Sequence, residues 1–117
     1  MKLLMSIIRH EKYQETKKEL EAAGFSSYSS RDILGRGNVG SSLEVKNRTD
    51  DKDVHGSLLY SRKMIEICVV DKDADTVVDI ITRVNRSGHH GDGKIFVLPV
   101  KDVCRVRTAE KGENAVL

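Results

Sequence analysis

The chain has 117 residues, with 20 basic and 18 acidic side chains and a formal net charge of +2. This length fits one domain with a real hydrophobic core, and the balanced charge gives no strong nucleic-acid footprint. The apolar start "MKLLMSII" meets charged residues too soon for a signal-peptide core, and no run of 18 apolar residues exists. We therefore expect one soluble cytoplasmic domain over residues 1–117, with no nucleic-acid partner and no insertion into a membrane.

The first half of the chain predicts a strand, a helix and a second strand. "KLLMSII" is a strand candidate at residues 2–8. "EKYQETKKELEAAG" then places one face of side chains at helical spacing, and Gly24 suits the position after the helix end. A second strand is expected from about residue 26 to residue 34, and it leads into "GRG".

The second half repeats this order with a long strand first. "LLYSRKMIEICVV" predicts a strand, and "DADTVVDIITRVNRSG" predicts an amphipathic helix with Arg83 and Arg86 in its last turn. "KIFVLPV" is a fourth strand, and "VCRVR" either extends the sheet or forms a short C-terminal tail. The order strand, helix, strand, strand, helix, strand predicts an α+β fold of the ferredoxin-like, split βαβ type.

Residues 38–57 separate the two middle strands and are polar, charged and too long for a simple hairpin. Such segments are usually functional or disordered, so a mobile functional loop and a tolerated insertion are the two interpretations. Neither would contribute to the core, because the segment has no pattern of buried residues.

The cysteine and histidine residues of the sequence indicate no particular reactive or metal-binding site. Cys68 and Cys104 lie in the apolar runs "IEICVV" and "DVCRV", so we expect buried thiols in a reducing compartment. The four histidines show no metal-ligand spacing, and no motif sets a serine or cysteine beside a base. We therefore predict no metal site and no catalytic residue, and we expect that the protein is not an enzyme.

The stretch "SGHHGDGKIFVLPV", residues 87–100, places three glycines directly before a strand. The glycines either turn the chain or let backbone N–H groups approach an anion beside Lys94. Farther on, Arg105 and Arg107 are two residues apart in a strand-like segment, so both would project to one side. Two guanidinium groups on one side suit a phosphate chain, although ordinary edge charges explain them equally well.

Several motifs together resemble the PII family of nitrogen-regulatory signalling proteins. They are "GHHGDGKIFVLPV" followed by "RVRTAEKGENAV", with "SIIRHEK", "LGRG" and "KMIEICVV" in the family's order and spacing. The resemblance implies a homotrimer of ferredoxin-like subunits with ATP or ADP in the clefts between them. It also implies a binding site made of Ile7, Ser29, Gly35, Arg36, Gly37, Arg62, Glu66, Cys68, Gly91, Asp92, Gly93, Lys94, Arg105 and Arg107.

The resemblance assigns each group a role. Residues 91–94 correspond to the phosphate-binding loop, and Arg105 and Arg107 to arginines that reach the phosphates from a neighbouring subunit. Residues 35–37 correspond to the entry of the mobile loop. The positions around the adenine and ribose are Ile7, Ser29, Glu66 and Cys68.

The sequence departs from the family in and around the loop. Residues 38–57 contain no tyrosine for uridylylation, and Val39 stands where a glutamine commonly helps to hold magnesium and 2-oxoglutarate. Arg62 replaces the lysine expected at the far base of the loop, and it can still pair with a carboxylate. Binding of 2-oxoglutarate with magnesium is therefore doubtful, though not excluded.

The resemblance implies a signalling protein that reports nitrogen and energy status to a target through the long loop. "LGRG" and the replaced loop are similar to the divergent branch that regulates nitrogenase, so a nitrogenase component is the first candidate target. A regulator of an ammonium channel is the alternative within the family. From other classes, a ferredoxin-like RNA-binding module would need exposed sheet aromatics, and a small phosphotransferase would need a nucleophile or base.

Overall fold

The structure is a computed structural model that describes residues 1–36 and 59–116. The predicted loop at 38–57, with Gly37 and Val39, lies outside the described residues. The strands are β1 (Lys2–Ile8), β2 (Ser29–Gly35), β3 (Tyr60–Val69) and β4 (Lys94–Pro99), and the helices are α1 (Tyr13–Ala22) and α2 (Asp71–Asn85). Short 3-10 turns precede α1 at His10–Lys12 and end the chain at Gly112–Ala115. This order confirms the predicted α+β, ferredoxin-like fold.

The four strands form one antiparallel sheet in the order β2-β3-β1-β4. In the register, Ile7 of β1 lies opposite both Met64 of β3 and Lys94 of β4, and Ser29 of β2 lies opposite Glu66 of β3. Because side chains alternate along a strand, this register decides which residues share a face.

One face of the sheet packs against both helices and forms the core. The buried cluster joins apolar residues of β1 and β3 to one stripe on each helix, namely Leu4, Ile8, Ile65, Ile67, Val69, Leu20, Ala74, Val77, Ile80 and Ile81. The stripe on α2 is the one predicted from its spacing, and it is buried because apolar positions at i, i+3, i+4 and i+7 lie on one side of a helix.

The other face, which we call the open face, carries the alternate residues of the same strands. On its described part these are Leu3, Met5, Ile7, Ser29, Arg31, Ile33, Gly35, Tyr60, Arg62, Met64, Glu66, Cys68, Lys94, Phe96 and Leu98. Neither helix packs on this face, and Phe96 and Leu98 keep 48% and 38% of their surface exposed. A sheet with apolar side chains on an uncovered face is typical of a protein that buries this face in an assembly.

The helix ends differ from their predicted positions in small ways. Gly24 follows α1 at φ +93°, and the Phe25 N–H donates to the Leu20 carbonyl at 2.8 Å, so the predicted glycine does end this helix. Helix α2 begins at Asp71, two residues earlier than its acidic pattern indicated. Arg86 has an extended backbone just past the helix, so its predicted place in the last turn is wrong.

Three other expectations need correction. Strand β2 begins at Ser29 and not near residue 26, because this edge strand has no buried face to mark its start. "VCRVR" does not extend the sheet: Cys104 makes one isolated bridge to Lys111, and the residues at 106–108 form a turn. Both cysteines are free thiols, but Cys104 is exposed and Cys68 is half-buried, so full burial was wrong for both.

Candidate functional site

The candidate site is built around residues 87–94, which we call the glycine loop, between α2 and β4. The Asp92 carboxylate folds back into this loop, where one oxygen accepts from the N–H groups of Ser87 at 2.8 Å and Gly88 at 3.0 Å. Its other oxygen accepts from the Ser87 hydroxyl and from the Arg9 guanidinium, the latter at 2.7 Å. Asp92 therefore fixes the shape of the loop from within.

These donors also fix the charge of Asp92. The Ser87 hydroxyl and amide, followed by the Arg9 guanidinium, hold the pKa of this carboxyl far below its usual range. Asp92 is consequently ionised at every pH at which a cell works. The four hydrogen bonds are of the strong, charge-assisted kind.

Gly93 sits where a side chain has no room, and Gly91 sits where a side chain would be tight. A Cβ on Gly93, at φ +117°, would overlap the carbonyl oxygen of Ile7. A Cβ on Gly91, at φ +91°, would lie 3.1 Å and 3.3 Å from guanidinium nitrogens of Arg9 and Arg62. Gly88 differs, because its φ of +84° needs glycine but the space around it is open.

The loop presents unpaired donors next to a positive charge. The consecutive N–H groups of Gly91, Asp92 and Gly93 donate to no group among residues 1–36 and 59–116. Lys94 follows them, is exposed and begins β4 on the open face. Backbone donors in a row with a lysine beside them form the kind of concavity that binds anions.

A cleft of about 300 Å³ adjoins the loop, between the end of α2 and the strands β1 and β4. Its walls are mainly apolar, and the loop supplies the polar side through Asp92, Gly93 and Lys94. Its remaining lining residues are Ile7, Ile8, Val78, Ile81, Thr82, Asn85, Arg86 and Ile95.

The residues predicted around the adenine and ribose share the open face with Lys94. Ile7 pairs directly with Lys94, and Ser29 lies opposite Glu66 two register rows away on the same face. The Glu66 carboxylate is paired with the Arg31 guanidinium at 2.9 Å. Burial raises the pKa of the Cys68 thiol, so this cysteine presents an uncharged side chain on the open face at ordinary pH.

The base of the predicted mobile loop meets the glycine loop through Arg62. This guanidinium stands 5.3 Å from the centre of the Tyr60 ring and approaches Gly91. Gly35, at the end of β2, lies opposite Tyr60, and Arg36 follows as the last described residue of that segment. The two strand ends that bound residues 37–58 therefore lie at the same end of the sheet as the glycine loop.

Arg105 and Arg107 lie at the other end of the sheet. The chain leaves β4 beside Met1, where the Val100 N–H donates to the Met1 carbonyl at 3.0 Å. Five strand residues, 95–99, separate that point from the end of the glycine loop, which is about 17 Å of strand. Arg105 is held by Glu110 and by the Asn114 carbonyl, while Arg107 is exposed in the turn. One chain alone therefore does not bring these arginines to Lys94.

Sequence reasoning missed Arg9 and Ser87. Arg9 is 83 residues from Asp92 in the chain, so only the pairing of β1 with β4 brings the two together. A signal for Ser87 was present, because serine and aspartate at the two ends of a short glycine-rich turn commonly bond each other's backbone.

The described part of the chain lacks two features, a cluster of metal-binding side chains and a membrane-spanning helix. Residues 1–36 and 59–116 contain no group of three or more histidine, cysteine or carboxylate side chains able to hold a metal ion. In the same part of the chain, no helix has the length and apolar character needed to cross a membrane.

Comparisons with known proteins agree with this architecture. The profile of the family "Nitrogen regulatory protein P-II" matches residues 1–110. The chain is 43% identical to "Nitrogen fixation nifHD region GlnB-like protein 2" of Methanobacterium ivanovii over the full length of both proteins. It is 41% identical to the protein of the same name from Methanococcus maripaludis, over 99% of this chain and all of that one. "Nitrogen regulatory protein P-II 2" of Methanothermobacter thermautotrophicus is 42% identical, over 99% and 97% of the two chains.

The chain belongs to the P-II family of nitrogen regulatory proteins. Within that family it is a PII-like protein of the branch associated with the nifHD region. The predicted family and the similarity to the nitrogenase-associated branch are thereby confirmed.

Proposed function

We propose that the protein binds ATP or ADP in the clefts between the subunits of a cytoplasmic homotrimer and signals to a target protein. The observation that carries this proposal is the glycine loop, which Asp92 holds in shape and which presents Lys94 and three N–H groups that donate to no group among residues 1–36 and 59–116. Nucleotide phosphates need several donors and positive charge at one point, and the loop supplies both.

The open face and the C-terminal arginines support the trimer. Phe96 and Leu98 are exposed on this face, Leu3 and Met5 are half-buried on it, and burial of such apolar surface favours association. Within a chain, the length of β4 separates Lys94 from the C-terminal segment that carries Arg105 and Arg107. A second subunit whose C-terminal turn reaches the glycine loop would add one or both guanidinium groups to the site, which suits a triphosphate.

The target is proposed from the names of the relatives. Two of them are designated by the nitrogen fixation nifHD region, which favours a component of nitrogenase as the target. Residues 38–57 are the proposed contact, since their interleaved basic and acidic residues suit a polar partner surface. The segment is anchored at strand ends beside the glycine loop, so nucleotide identity could be transmitted to it directly.

Calorimetric titration of the intact protein with ATP, ADP and AMP tests the proposal. Lys94→Ala and Arg107→Ala should each weaken ATP binding by about ten- to a hundredfold, because each removes one charge-assisted contact. Lys101→Ala, which removes an exposed lysine beyond the far end of β4, is the matched control and should bind as the parent does. Unchanged ATP binding in both site variants would show that the site is misplaced.

The same titrations, repeated with 2-oxoglutarate and magnesium, address the second ligand. Val39 offers no oxygen to a metal ion, so we expect little coupling between 2-oxoglutarate and ATP. Strong magnesium-dependent binding of 2-oxoglutarate would contradict this expectation and would point to Arg62 as the residue that holds its carboxylate.

A further inference from the structure

We propose that Arg9 is a positioning residue for the glycine loop, and that it sets nucleotide affinity by holding the loop and neutralising Asp92. This inference rests on the proposed nucleotide site and adds a residue that the family resemblance did not assign. Arg9 directly follows β1, the strand that pairs with β4, and its side chain is about one-fifth exposed.

Both terminal nitrogens of Arg9 are engaged by the loop. One donates to the Asp92 carboxylate at 2.7 Å, and the other donates to the His90 carbonyl at 2.8 Å. The guanidinium thus bridges two points of the loop, two residues apart, and holds the backbone between them. The same guanidinium would be 3.1 Å from a Cβ on Gly91, so it also packs against this stretch.

The positive charge of Arg9 offsets the negative charge that Asp92 brings to the glycine loop. A carboxylate within a loop that binds phosphates would repel them, and such repulsion is strong in a partly dehydrated cleft. Arg9 forms the one ion pair of Asp92 among the described residues. The pair leaves the loop without net negative charge, while the carboxylate still orders Ser87 and Gly88.

Arg62 is the other arginine beside Gly91, and it differs from the positioning residue Arg9 in its contacts. Both guanidinium groups approach Gly91, but Arg62 has no ion pair within residues 1–36 and 59–116. There it lies over the Tyr60 ring and donates a long hydrogen bond, 3.4 Å, to the Ser61 carbonyl. Arg62 is therefore available to a ligand. Arg9 is already committed to the protein.

The test combines two measurements on the full chain. ATP affinity is measured by calorimetry, and amide hydrogen exchange at Ser87 and Gly88 is measured without nucleotide. Arg9→Gln should weaken ATP binding by about ten- to a hundredfold and should speed exchange at both amides by a similar factor, since charge-assisted bonds are lost. Arg9→Lys keeps the charge beside Asp92 but loses the bridge to His90, so it should fall between the parent and Arg9→Gln.

Arg83→Gln is the matched control, because it removes one exposed guanidinium that pairs with Glu19 of α1 and not with the glycine loop. It should leave both measurements unchanged. A double-mutant cycle adds specificity: once Asp92→Asn has removed the partner charge, Arg9→Gln should have much less further effect on ATP affinity.

Three outcomes decide the matter. Weaker ATP binding in Arg9→Gln with unchanged amide exchange would mean that Arg9 contacts the nucleotide directly, and the positioning role would be wrong. Unchanged ATP binding with faster exchange would equally overturn it. A parent protein that binds no nucleotide would overturn the proposed function instead, while faster exchange in Arg9→Gln would still support Arg9 as the residue that positions this loop.

Discussion

At the scale of single residues, the three glycines of one short motif meet different demands. All three have positive φ angles, yet only Gly93 touches backbone so closely that a methyl group would overlap it. The sequence offered two interpretations, a turn of the chain or an approach of backbone N–H groups to an anion. Gly88 fits the turn, whereas Gly93 meets a demand that neither interpretation named, the close packing of its backbone on the Ile7 carbonyl. A motif can be recognised from its composition, but the contact that each glycine permits depends on the strand beside it.

Replacing Gly93 and Gly88 by alanine should therefore have unequal effects. Gly93→Ala should lower the free energy of unfolding by about 3 kcal/mol, because it adds an overlap with the Ile7 carbonyl to an unfavourable φ. Gly88→Ala adds only the unfavourable φ, so it should lower the free energy of unfolding by about 1–2 kcal/mol. Urea unfolding of the two variants measures the difference. Equal losses would show that the close approach at Gly93 has no energetic consequence.

At the scale of elements, the apolar periodicity of the two helices was predictable from the sequence, but the buried hydrogen bond that ties the helices together was not. Thr16 of α1 and Asn85 of α2 are both buried, and the Asn85 amide donates to the Thr16 hydroxyl at 3.0 Å and to the Ile81 carbonyl at 2.8 Å. The Thr16 hydroxyl in turn donates to the Lys12 carbonyl at 2.7 Å. Such a polar link between two apolar stripes leaves no trace in the hydrophobic pattern.

Breaking this tie should destabilise the helix pair. Asn85→Ala leaves the Thr16 hydroxyl and the Ile81 carbonyl without this partner, and it should cost about 1–3 kcal/mol in the free energy of unfolding. Thr76→Ala, an exposed substitution on the same helix, should stay within about 0.5 kcal/mol of the parent. Chemical denaturation followed by circular dichroism compares the two. A loss in Asn85→Ala no larger than in Thr76→Ala would contradict the structural role of the tie.

The ends of the strands were also predictable only in part. Strands β1 and β4 were predicted at their observed starts, and β1 at both ends, because their apolar runs are bounded by charged or glycine-rich residues. Strand β2 was misplaced at its start because it lies at the sheet edge and buries little. "VCRVR" reads as a strand by composition, but its backbone bonds go to residues 109–112 and form a turn.

At the scale of the whole molecule, the open face is the surface through which we expect chains to associate. Phe96→Glu places a charge on this face, whereas Val97→Glu places it on the opposite face of the same edge strand. If the trimer forms through the open face, Phe96→Glu should sediment as a monomer, because burying an unpaired charge is costly. Val97→Glu should sediment as the parent does. Analytical ultracentrifugation of the three proteins checks this, and a monomeric parent would contradict the trimer.

The separation of the glycine loop from Arg107 along β4 also has a thermodynamic consequence. If each nucleotide is held by the loop of one subunit and the turn of another, the ligand cross-links the subunits that it joins. Nucleotide binding and subunit association then become linked equilibria, and each favours the other. Apparent ATP affinity would fall on dilution of the protein, and saturating ATP would protect the assembly against dilution. The cell's adenylate level would in this way govern not only the shape of the regulator but also its lifetime as an oligomer.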